Sequence, residues 1–191
     1  MSPIFTSEQV FEKIDFTVKP ISKGEYEDCR FIQCQFTESD VKNIRFTDCT
    51  FIGCNLDKAK LAGSTFNEVV FENCSMTKLH FDTCNELLFT VRFRNCELNH
   101  SIFYKRKIKK TEFENCRLKK VDFTESDLAG STFDTCDLEH AVFENTILEK
   151  ADFRSSYNFR IDPDRNRIKK ARFSIYGLAG LLDKYDLAIE S

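Results

Sequence analysis

Tryptophan is absent from the 191 residues, methionine occurs twice, proline three times and glycine six times. A β-sandwich of this length draws on more glycine and proline for its turns, and a helical bundle on more alanine and leucine, so neither class fits. Histidine occurs only as His80, His100 and His140, too few and too dispersed for a three-ligand metal site. No glycine-rich phosphate loop, nucleophile elbow or paired-histidine motif is present, so no catalytic residue, metal or cofactor is expected. No apolar run approaches the roughly 18 residues of a membrane span. The first residues, MSPIFTSEQVFEKIDF, lack the basic start and apolar stretch of a signal peptide, so a cytoplasmic chain without a membrane partner is expected. Lys plus Arg is 28 against 31 Asp plus Glu, a net charge of -3, which predicts no whole-chain attraction to nucleic acid.

What the chain has in excess is phenylalanine, 20 residues, and cysteine, nine. Stepping by five from Phe11 meets Phe16, Ile21, Tyr26, Phe31, Phe36, Val41, Phe46, Phe51, Leu56, Leu61, Phe66, Phe71, Met76 and Phe81. The phase is lost in NELLFTVR, about residues 85–92, and resumes two residues late from Phe93 through Leu98, Phe103, Ile108 and onward to Phe153. Two positions before each such centre the residue is usually small, and all nine cysteines sit there. A period of five matches neither 3.6 nor 2, so each unit reads as a short extended piece ending in a turn. One large and one small inward residue per unit suit a narrow, solid interior.

A period of twenty overlies the five. Phe11, Phe31, Phe51, Phe71, Phe93, Phe113, Phe133, Phe153 and Phe173 form one column without exception. Four units per coil then place residues twenty apart one strand spacing from each other. About eight coils at roughly 4.8 Å give a rod on the order of 38 Å. One domain, residues 1–173, is expected, followed by a terminal segment, 174–191.

Units such as CRFIQ, CTFIG, AKLAG, STFDT, CDLEH, AVFEN and ADFRS resemble the A(D/N)LXX consensus of pentapeptide-repeat proteins. The resemblance covers residues 26–153 and implies an all-β fold, a right-handed quadrilateral β-helix with a short helix and strand as C-terminal cap. Cysteines at the small position read as structural thiols rather than metal ligands or disulfides, because C-x4-C spacing follows from the repeat itself.

After Phe173, the segment SIYGLAGLLDKYDLAIES places Leu178, Leu181, Leu182 and Tyr185 on one helical face with Ser174 as N-cap, and Leu187 and Ile189 alternate like a brief strand. These six residues are either an intramolecular lid or a contact between two chains. Charge is banded. Residues 105–120 carry eight positive and two negative charges, whereas 121–149 carry Asp122, Glu125, Asp127, Asp134, Asp137, Glu139, Glu144 and Glu149 and no Lys or Arg. Such a band is either a solvated face or a carboxylate surface offered to a basic, DNA-binding groove. Direct nucleic-acid binding through Lys105 to Lys110 is disfavoured, since the acidic band beside it repels the same backbone.

The ending YNFRIDPDRNRIKKARFSIYGLAGLLDKYDLAIES is similar, at Asn158, Ile161, Asp162, Asn166, Ile168, Ala171, Phe173, Ser174 and Leu181, to that of the branch that protects type II topoisomerases. The Qnr-type quinolone-resistance proteins and the microcin and albicidin immunity factors belong to that branch. The resemblance implies a homodimer joined through the C-terminus, DNA gyrase or topoisomerase IV as partner, and protection of that enzyme by imitation of DNA. An interaction scaffold with an unrelated protein partner is the alternative.

Overall fold

A computed structural model describes residues 4–188 of the chain. Its strands are short because each five-residue unit has room for only one extended step before a corner. The first face stacks β1 (Ile4–Ser7), β3 (Gly24–Glu27), β5 (Arg45–Thr47) and β7 (Thr65–Asn67) in one parallel sheet. The adjoining face carries seven parallel strands: β2 (Val10–Glu12), β4 (Arg30–Ile32), β6 (Thr50–Ile52), β8 (Val69–Glu72), β9 (Val91–Arg94), β10 (Glu112–Glu114) and β11 (Thr132–Asp134). The two remaining faces are joined by single parallel bridges such as Asn55↔Ser75 and Asp40↔Lys60.

Register explains the interior. Phe31 pairs with Phe51, Phe51 with Phe71 and, two residues late, Phe71 with Phe93. The nine rings from Phe11 to Phe173 form one continuous stack, with neighbouring centroids 4.6–5.5 Å apart. Phe31, Phe51, Phe71, Phe93, Phe113, Phe133 and Phe153 are buried, and the terminal rings Phe11 and Phe173 are partly covered. Each fully buried ring contributes roughly 1.5–3 kcal/mol relative to exposure.

The scarcity of glycine has a structural counterpart. A residue of positive φ recurs at most corners, two positions after the centre: Glu38, Lys58, Lys78, His100 and Lys120 mark one edge. Where the amide three residues after the centre returns to its carbonyl, as Ala59 does to Leu56 at 2.9 Å, the corner is a type II turn. Glycine takes the positive-φ position only at Gly53, Gly63 and Gly130. A side chain there costs about 1–2 kcal/mol. The same corner amides donate to the next coil, Lys58 N to Thr77 O at 2.9 Å for example, which offsets that cost.

The two-residue slip is a local bulge. A 3₁₀ turn at Phe81–Thr83 leads into it; Phe89 then turns inward against the edges of the Phe66 and Phe81 rings, while Leu87 and Leu88 are 75% and 65% exposed. The terminal segment differs from the expected single helix and strand. Ser174 does act as an N-cap, accepting from Gly177 N, but it caps a 3₁₀ turn, Ile175–Gly177. One α-turn, α1 (Ala179–Leu182), and a second 3₁₀ turn, Asp183–Tyr185, follow. Leu187 lies in no strand, and Ile189 falls outside the described residues. Packing decides this: Gly177 and Gly180 press directly on Phe159, and a Cβ at Gly180 would overlap the Phe159 main chain. The segment bends to keep that contact rather than running as a regular helix.

Candidate interaction surface

With the interior filled by side chains, recognition chemistry is confined to the outer surface. An open groove of about 600 Å³ lies beside Asn43, Gly63 and Asn85. Among the described residues no group of three or more His, Cys, Asp or Glu is placed to hold a metal ion. His100 and His140 stand at positive-φ corners, and His80 is exposed.

The nine cysteines are buried free thiols. Those in the column Cys34, Cys54, Cys74, Cys96, Cys116 and Cys136 donate to carbonyls of the preceding coil, as Cys54 Sγ does to Phe31 O at 3.2 Å. Burial pushes the Cys49 and Cys84 thiols up to about 12.

The charge bands acquire a different meaning once residues twenty apart are neighbours. Acids of one coil stand over bases of the next. Lys105 pairs with Glu125 at 3.4 Å, Lys109 with Asp127 at 3.1 Å, and Lys119 with both Asp137 at 3.1 Å and Glu139 at 2.7 Å. From the other side Arg165 reaches Glu144 at 2.8 Å and Arg167 reaches Glu149 at 2.7 Å. Six of the eight carboxylates of the 121–149 band are thus ion-paired to cations of the basic run at 105–120 or to Arg165 and Arg167. Asp122 and Asp134 are not: Asp122 accepts from Thr124 N, and Asp134 from the Ser155 hydroxyl. Asp137 is only 8% exposed. Burial pushes its carboxyl up, but hydrogen bonds from Asn158, Lys119 and Glu139 N outweigh that and hold it below the usual value.

Two residues that periodicity alone did not single out close the structure. Arg106 occupies a small-residue position, two before Ile108, yet is only 3% exposed. Its guanidinium lies 4.4 Å from the Phe89 ring centroid and donates to Cys84 O at 2.9 Å and Asn85 O at 2.7 Å, fastening the bulge. The sequence signal was there: a long side chain at a small position, about one coil after the insertion, marks extra space to fill. Asn166 does the same in the last coil, accepting from Thr146 N and donating to the carbonyls of Phe143 and Asp162.

The cap residues separate into two groups. Leu181 packs on the core, while Leu178, Leu182, Tyr185 and Leu187 are 37–57% exposed. Ile175 and Tyr176, at 76% and 94%, enlarge that apolar end. Lys184 holds the segment down through Asp162 and Asp164, and Arg160 reaches Asp183 at 3.3 Å.

No curated protein matches the chain by sequence. Among solved structures, a trypsin-treated form of QnrB1, a plasmid-mediated fluoroquinolone resistance protein, matches at a TM-score of 0.72 and 18% identity over 98% of this chain and 92% of that one. A second trypsin-treated QnrB1 form matches at 0.54 and 14%, over 98% of each chain. These identities bear on the fold alone. The family model for the pentapeptide repeat region matches residues 25–103 and 86–157, together well over half of the sequence. With its five-residue units, its ring ladder and its parallel coils, the chain belongs to the pentapeptide-repeat family.

Proposed function

We propose that the protein is a non-enzymatic docking rod that binds a type II topoisomerase, DNA gyrase or topoisomerase IV, and protects it from an antibiotic or toxin directed at that enzyme. The observation that carries this reading is likeness of fold along nearly the whole chain, cap included, to a fluoroquinolone-resistance protein. The terminal pattern from Asn158 to Leu181 supports it, because those residues build the seat of the cap: Asn166 closes the last coil, and Asp162 accepts from Lys184. In this reading the exposed apolar end at Leu178, Leu182, Tyr185 and Leu187 joins two rods.

The contact charge rests first on Asp122 and Asp134. Glu125, Asp127, Glu139, Glu144 and Glu149 contribute by exchanging their present partners for basic groups of the topoisomerase, and Asp137 serves the fold. The test is capture of purified gyrase at low salt by the wild type and by Asp122→Lys/Asp134→Lys. Weakened capture at unchanged thermal stability supports the reading, and no capture by the wild type discards it. Supercoiling assays with quinolone, microcin and albicidin then identify what is countered.

A second reading, a scaffold for an unrelated protein, has one observation in its favour. Six of eight carboxylates are already neutralised by neighbours, which weakens the field that a DNA mimic needs. It predicts a partner whose binding is insensitive to salt.

A further inference from the structure

One edge of the rod differs from the others in how its charges are ordered. Its corner position, between the face of β1 and the face of β2, is filled in successive coils by Glu8, Asp28, Asp48 and Glu68. Past the bulge the same corner carries Lys110, Gly130, Lys150 and Lys170. The N-terminal half of the edge is therefore acidic and the C-terminal half basic. Every one of these charged side chains is exposed. Among the described residues Glu8, Asp28, Asp48, Lys110, Lys150 and Lys170 form no ion pair, and Glu68 meets only Arg92, at 3.6 Å with both side chains 47% exposed. On other parts of the rod many acids pair with bases of the adjacent coil, as Glu125 does with Lys105 and Glu38 with Lys58. Along this edge like charges are stacked on like, an arrangement that a lone rod gains nothing from.

The order is self-complementary. Rotating a second copy by 180° about an axis across the rod at the level of the bulge sets Glu8 opposite Lys170, Asp28 opposite Lys150 and Glu68 opposite Lys110, each pair twice. Asp48 faces Gly130. At the centre, on the face leading into this edge, stand the exposed Leu87 and Leu88, which meet their own counterparts. On the adjoining face Arg30 faces Asp152, already paired with Arg154 at 2.7 Å, while on the bulge side Glu27 faces Glu149, whose charge Arg167 already balances.

We propose that this edge is an antiparallel, two-fold interface between two copies of the chain, with ion pairs at both ends and a leucine contact in the middle. The inference is independent of the topoisomerase reading and of any end-to-end contact through the cap. Two convex edges meet over a small area with largely exposed pairs, so the association is weak and salt-sensitive.

The experiment is zero-length carboxyl-to-amine cross-linking of the full chain at low salt, with the linked peptides mapped by mass spectrometry. Asp28 and Lys150 lie six coils apart on one rod, about 29 Å, so a link between them arises only between two molecules. Expected are links Glu8–Lys170, Asp28–Lys150 and Glu68–Lys110, suppressed at least fivefold at about 0.5 M salt. Asp28→Lys and Lys150→Glu each lower self-association about tenfold in sedimentation equilibrium, and the double variant Asp28→Lys/Lys150→Glu regains it. Absence of these links at low salt, or failure of Asp28→Lys/Lys150→Glu to recover, overturns the proposal. Links confined to the cap overturn it as well, and leave the end-to-end dimer standing.

Discussion

Truncating Phe113 to alanine tests the ladder at its middle. The ring is fully buried and lies between Phe93, 5.2 Å away at 10°, and Phe133, 5.0 Å away at 6°. Phe103 and Phe123 present their edges at 6.3 and 6.0 Å. A buried Phe→Ala change costs roughly 3–5 kcal/mol. Four aromatic neighbours, each worth about 0.5–1.5 kcal/mol beyond the area buried, place this site at the upper end, near 5 kcal/mol. Phe173 is the control. It is only partly covered, stacks on Phe153 alone at 5.3 Å and tilts against Phe159 at 5.5 Å, so Phe173→Ala is expected to cost about 2 kcal/mol. Urea unfolding followed by circular dichroism measures both. Because each coil leans only on its neighbours, a cavity in the central coil also broadens the transition, whereas one at the end does not. Equal losses for the two variants, or a loss below about 1 kcal/mol for Phe113→Ala, would refute the stacked interior as the source of stability.

Three further outcomes follow from particular contacts. Arg106→Ala strands the carbonyls of Cys84 and Asn85 and uncovers Phe89, a loss of roughly 2–4 kcal/mol; hydrogen exchange rises across 84–90 first, and Arg106→Lys does not restore it because one ammonium cannot span both carbonyls and the ring. Gly180→Ala drives a Cβ into Phe159 and lifts the cap, so trypsin cleaves after Lys184 at least several-fold faster than in the wild type, with the coils before Phe153 unaffected. The thiols set an alkaline limit. Burial raises Cys49 and Cys84 to about 12 in the fold, while an unfolded thiol titrates near 8.5. The native state then holds protons that the unfolded chain releases. The stabilisation is complete below about pH 8.5 and is lost as pH rises toward 12, and a thiol reagent at pH 8 labels no cysteine until urea unfolds the chain.

Much of the architecture follows from the order of residues alone. Phe31, Phe51 and Phe71 recur at twenty, Cys54, Cys74 and Cys96 keep their place through the slip, and both patterns survive because a repeat fold contacts only its neighbours, so the period in sequence is the period in space. Ser174 as an N-cap was equally legible, since capping is a local preference, whereas the helix and strand expected after it gave way to short turns seated on Phe159. What tertiary structure alone decided is which charges meet. The acidic band at 121–149 reads as an uninterrupted anionic stretch along the chain, yet coil stacking brings Lys119 onto Asp137 and Glu139 and Arg165 onto Glu144, turning most of the band into ion pairs. Arg106, one more cation in a basic run, became a buried clamp because the insertion at 85–90 opened space only the closed coil could define. Coulomb energy depends on distance through space, and a coil of twenty residues makes distant positions adjacent.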